Sequence, residues 1–162
     1  DMKDIRFQNQ IDIFKVIIRE LIGKYKDLFT SERLDDIDKK LLICYQEGNV
    51  NIADLKNGLR FLSQCLYKHY QKKVILLIDE YDVPLAKAFE HGYYDQMVIL
   101  IRNLFEQALK TNDSLEFAVL TGCMRISKES IFTGLNNLKV LSVADVRFDE
   151  YFGFTDAEVK EL

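Results

Sequence analysis

From Phe7 onward, apolar residues recur three and four positions apart, at Ile11, Phe14, Ile18, Leu21, Ile22, Tyr25 and Phe29. That is the period of a helix with one buried stripe, and it predicts a long first helix. Ser31 is a favourable N-cap and opens a second predicted helix through Leu34, Ile37, Leu41 and Leu42, which Gly48 stops. Asn51 can cap a third, with Ile52, Leu55, Leu59, Leu62, Leu66 and Tyr70 as its stripe.

The pattern then changes. Lys73 to Ile78 is a short continuous apolar run ending in acids, as expected for a parallel strand buried on both faces. Helices are predicted around Val83 to Glu90 and Tyr93 to Lys110, the latter with Met97, Leu100, Ile101, Leu104 and Phe105 inward. A second buried strand is predicted from Leu115 to Thr121, and Val140 to Val143 is a candidate third. Thr155-Asp156-Ala157-Glu158 has capping-box form and opens a last helix. Strands alternating with helices imply an α/β fold with a parallel sheet, whose ligands sit at the carboxyl ends of the strands.

Composition narrows the class. The 162 residues are 48% hydrophobic and 30% charged, enough for one core. With seven glycines and one proline, Pro84, no linker or repeat divides the chain. The expected organisation is a single domain over 1–162: a mainly helical part (1–72), the strands with their helices (73–145) and the start of a further helical part (146–162). No apolar run reaches membrane-spanning length, and a charged start without a secretory core makes the cytoplasm the default location. Cys44, Cys65 and Cys123 form no C-x-x-C pair and are read as reduced. His69 and His91 lack zinc-ligand spacing. The net charge of −4, with Lys and Arg dispersed among acids, does not support direct nucleic-acid binding.

The chemistry concentrates at the strand exits. Val74-Ile75-Leu76-Leu77-Ile78-Asp79-Glu80 has the form of a Walker B motif, a buried run pushing two carboxylates out at its tip. Asp79 would help hold Mg²⁺, and Glu80 is placed to orient and deprotonate an attacking water. The plainer alternative is a strand ending in solvated acids. Asp82 is read as a helix cap, with a supporting carboxylate as the second option. In Thr121-Gly122-Cys123-Met124-Arg125, small residues let backbone approach a ligand. Thr121 stands where ATPases place a residue that senses the γ-phosphate, and Arg125 could stabilise transition-state charge. Their plain alternatives are a strand-end hydroxyl and a surface ion pair; Lys128 is a weaker candidate. No G-x-x-x-x-G-K-[ST] phosphate loop (Walker A) occurs anywhere in the chain, so these residues alone are expected to bind ATP poorly.

Three blocks together, Ile78 to Leu85, Leu120 to Leu138 and Tyr151 to Thr155, resemble the predicted AAA-ATPase-like family. The resemblance implies a P-loop NTPase (AAA/STAND-like) domain using ATP and Mg²⁺, in proteins that often carry a C-terminal PD-(D/E)XK nuclease-like domain. Asp79 and Glu80 match its Walker B acids, and Thr121 to Arg125 match the segment after the next strand. It also implies a Walker A loop before Asp1, so both ends look cut. The expectation is a partial ATPase domain, itself inactive, with an open sheet edge that invites self-association. The alternative is a non-catalytic interaction module on the same fold. A phospho-receiver lacks its second acceptor aspartate, and Glu116-Phe117-Ala118 lacks the nuclease lysine; both are set aside.

Overall fold

The structure, a computed structural model, describes residues 2–110, 112–123, 131–132, 135, 138–142 and 156–161. Helix α1, Met2–Gly23, buries Ile11, Ile18 and Ile22, with Phe7, Phe14 and Leu21 packed partly against the same core. It stops short of Phe29. The amides of Lys24 and Tyr25 bond three residues back to Leu21 and Ile22, tightening the chain out of the α-helix. Leu28 and Phe29 then sit on a separate 3₁₀ helix, Lys26–Thr30.

Helix α2, Asp36–Glu47, starts later than predicted because Asp35, not Ser31, is its cap. The Asp35 Oδ1 accepts the Asp38 amide at 2.9 Å. Ser31 is buried instead, with its hydroxyl 2.8 Å from His69 Nδ1. Gly48 ends the helix at φ 79°, a left-handed turn that glycine makes without steric cost.

Helix α3, Ile52–Tyr70, carries a full capping box between Asn51 and Asp54. Its buried face includes Leu55, Gly58, Phe61, Leu62, Cys65 and Leu66. This face is rotated from the predicted stripe, leaving Ile52 and Tyr70 exposed. The rotation follows from packing: Phe61 stacks on Tyr45 at 5.5 Å, and Gly58 lies so close to Ile18 that a Cβ there would come within 3.2 Å.

Strands β1, Val74–Ile78, and β2, Leu115–Leu120, pair in parallel, with Glu116 bulged out between the Val74↔Leu115 and Ile75↔Phe117 partners. Between them run α4, Val83–His91, and α5, Tyr94–Phe105, which continues as a π-helical turn, Glu106–Lys110. Val140 to Ser142 do not form a strand, and Val143 lies outside the described residues. Asp156–Glu161 is helical as expected, while the Thr155 of its capping box lies outside the described residues.

The expectation of burial on both faces is corrected. Val74, Ile78 and Leu120 pack against the helical core, but Ile75 and Leu77 are 51% and 72% exposed and Phe117 and Val119 are 50% and 45% exposed. Among the described residues, helix α3 packs on β1 and the π turn on β2, and the side that meets the core carries Val74, Ile78 and Leu120. The apolar run therefore alternates in burial, although nothing in its residue types alternates.

Candidate functional site

The two strands end on one rim. The Thr121 amide donates to Ile78 O at 2.9 Å and the Tyr81 amide to Thr121 O at 3.1 Å, extending the ladder past both strand ends. This sets Asp79 beside Thr121. The Thr121 hydroxyl donates to Asp79 Oδ1, which also accepts the Glu80 amide at 3.0 Å. Asp79, Glu80 and Thr121 are all exposed, so three of the four principal sequence candidates share one solvent-facing edge. Arg125, the fourth, and Lys128 lie outside the described residues.

Glu80 adopts φ +51°, a left-handed conformation uncommon for a long side chain. Beyond this turn the Tyr81 ring packs against the core. It meets Phe105 of α5 at 6.3 Å and Phe132 at 5.4 Å, and those two rings stack on each other at 6.2 Å. Burial, and secondarily the charge of Asp82, hold the Tyr81 phenol above its ordinary pKa.

Asp82 departs from its predicted role. Its carbonyl accepts the amides of Leu85 and Ala86 at 3.0 Å each, but its side chain makes no capping bond. At φ −90°, ψ −17° the residue is already helical, whereas a capping side chain is normally presented from extended backbone. The carboxylate is instead buried against Gly122. A Cβ on Gly122 would lie 2.7 Å from Tyr81 Cε1 and 2.8 Å from Asp82 Oδ1. The room expected for a ligand at this glycine is taken by Tyr81 and Asp82.

Tyr81 was not a site candidate, and Gly122 was expected to admit a ligand, not to pack against Tyr81 and Asp82. The signal available was a lone glycine directly after a strand, which marks close backbone approach without saying to what.

A carboxylate and a hydroxyl on one exposed rim are hard oxygen donors and fit Mg²⁺. Among the described residues no group of three or more His, Cys, Asp or Glu is arranged to hold a metal.

A helix-rich region leading into a small parallel sheet, flanked by helices and with acids at the strand carboxyl ends, is the partial architecture of a P-loop NTPase. The chain belongs to the AAA-ATPase-like family, described as "Predicted AAA-ATPase", which matches residues 1–132. It is also similar to an "Uncharacterized protein in vnfD 5'region" of Azotobacter chroococcum mcd 1, 33% identical over 97 residues, covering 54% of this chain and 17% of that protein. The matched region thus spans about a sixth of that relative's length. No solved structure matches the chain. Among the described residues, no helix is long and apolar enough to cross a membrane.

Proposed function

We propose that this chain supplies the metal-holding and water-activating side of an ATP hydrolysis site. The carrying observation is the Thr121–Asp79 hydrogen bond, with Glu80 adjacent, at the carboxyl ends of paired parallel strands. Asp79 is the Walker B carboxylate that holds Mg²⁺, with Thr121 beside it to sense the γ-phosphate. Glu80, exposed one residue further on, takes the proton of the attacking water. Arg125, by its place in the sequence after β2, stabilises the charge that develops on the transferred group. Bound Mg²⁺ would supply the positive charge that offsets the β- and γ-phosphates.

The 162 residues contain no G-x-x-x-x-G-K-[ST] loop, so the phosphate cradle is not among them and the chain alone turns over no ATP. The parent acts in the cytoplasm, consistent with three unbridged cysteines. A nuclease-like domain is the effector that the family resemblance suggests.

Calorimetric titration of Mg²⁺-ATP into this chain and into a longer parent polypeptide carrying such a loop tests the proposal, with Glu80→Gln in both to suppress turnover. Binding by the longer form, with hydrolysis abolished by Glu80→Gln, is the expected result. Absence of binding by either form sinks the ATPase reading.

One observation favours a second reading, an interaction module. Ile75, Leu77, Phe117 and Val119 form a contiguous exposed apolar face, and such patches mark association surfaces. In that case the sheet serves partner binding or self-association, and the acids on its rim are solvated ends.

A further inference from the structure

The rim depends on a contact that lies beneath it. Between Asp79 and Asp82 the chain sends Asp79 and Glu80 to solvent and then turns Tyr81 inward, using the left-handed turn at Glu80. The Tyr81 ring is wedged by Phe105 and Phe132. Its free edge, together with the Asp82 carboxylate, fills the position where any other residue at 122 would carry a Cβ. Gly122 directly follows Thr121, and the Tyr81 amide is bonded to the Thr121 carbonyl. The distance between the two exit loops is therefore the distance at which the bare Cα of Gly122 meets the Tyr81 ring and the Asp82 carboxylate.

We propose that Tyr81 and Gly122 are a positioning pair: their close approach sets the separation of Asp79 and Thr121, and so decides whether the two oxygens can act on one divalent cation. Resting on the metal-site reading above, this adds two residues that touch neither metal nor nucleotide. It assigns the Tyr81 ring, not its hydroxyl, as the working part. It also links the rim to Phe132, so a displacement of Phe132 reaches Asp79 through a single side chain.

The test uses the chain as it stands, with Mn²⁺ as the probe and paramagnetic broadening of backbone NMR signals as the readout. Amide hydrogen exchange at Tyr81 and Thr121 is measured alongside. Wild type is expected to broaden first around Asp79 and Thr121. Gly122→Ala should weaken this roughly tenfold or more, as loss of a supporting contact does at metal sites, and should speed exchange of the two rim amides while α3 amides stay protected. Tyr81→Phe, which keeps the ring, should behave as wild type. Tyr81→Leu combined with Gly122→Ala clears the Cε1 position and should recover part of the lost affinity. If Gly122→Ala unfolds the chain, Tyr81→Ala carries the comparison, since it removes the wedge without adding an atom; it should lose Mn²⁺ broadening and rim protection together.

Wild-type Mn²⁺ response and rim exchange in Gly122→Ala, or an unchanged rim in Tyr81→Ala, would overturn the pair. An absence of Mn²⁺ broadening in wild type would remove the metal-site reading alone. The pair would then be upheld by faster rim exchange in Gly122→Ala and overturned by unchanged exchange.

Discussion

Across 42 residues of sequence, the Thr121 hydroxyl donates a hydrogen bond to the Asp79 carboxylate, and the two residues cap neighbouring strands of the same parallel pair. Thr121→Val removes that donor at nearly constant volume, while the Glu80 amide still bonds Asp79. Because both side chains are exposed, the expected loss is about 0.5–1 kcal/mol in urea unfolding. Thr121→Ser should restore it. A loss in Thr121→Ser with none in Thr121→Val would mean that the methyl group, not the hydroxyl, matters here.

Glu80 is one of two non-glycine residues with positive φ among those described, at +51°; the other is Gln71, at the end of α3. A side chain in this region costs roughly 1–2 kcal/mol, whereas glycine in ordinary backbone costs about 0.5–1 kcal/mol relative to alanine. Glu80→Gly should therefore raise stability by up to about 1 kcal/mol, against the usual direction for a change to glycine. Urea titration of Glu80→Gly beside Glu80→Gln checks it. Lower stability for the glycine variant would show that the left-handed turn is not strained.

Alkaline pH should weaken the fold. Burial, and then Asp38, push the Cys65 thiol from 9.0 up to about 12. A folded pKa above the unfolded one contributes stability that is complete below about pH 9 and is lost as pH rises towards the folded value. Lys68, raised first by its hydrogen bond to Asp38, and the buried Tyr45 phenol act in the same direction at higher pH. The expected loss is on the order of 1 kcal/mol by about pH 10. Unfolding curves at several pH values should show a flat neutral region and a falling alkaline limb. The limb should be shallower in Cys65→Ala, whatever that variant loses at neutral pH through its cavity.

The uncovered sheet face should make the chain associate as concentration rises. Leu77, at 72% exposure, contributes little to the chain's own core, so Leu77→Lys should leave thermal stability within about 0.5 kcal/mol. It should shift light-scattering mass towards the monomer. A wild-type chain that stays monomeric at high concentration would rule out this face as a self-association surface.

Much of the fold was legible because strong signals stood alone. The Asn51 cap and the glycine stop at Gly48 marked real helix ends, and the two apolar runs marked real strands. Ser31 misled because a cap is a competition: Asp35 binds the helix amide while Ser31 is drawn towards His69. Burial of β1 misled because five consecutive apolar residues look the same whether one face or two are covered; only the placement of α3 and the π turn distinguishes them. The sequence put Asp79, Glu80 and Thr121 at strand exits, and the structure has them on one exposed rim. The inward turn of Tyr81 was not legible, because it depends on a backbone dihedral at Glu80 and on two phenylalanines far away in the chain.

The parallel pairing has a kinetic consequence. Neighbouring parallel strands cannot begin as a hairpin, so β1 and β2 meet only after the whole stretch between them has folded back through α4 and α5. The entropy of closing that stretch is lost before any rung of the ladder rewards it. In refolding followed by pulsed hydrogen labelling, the amides of Tyr81 and Thr121 should gain protection after those of α3. The acids thus come into register as a late product of folding, and a chain arrested earlier carries all of these residues but no rim.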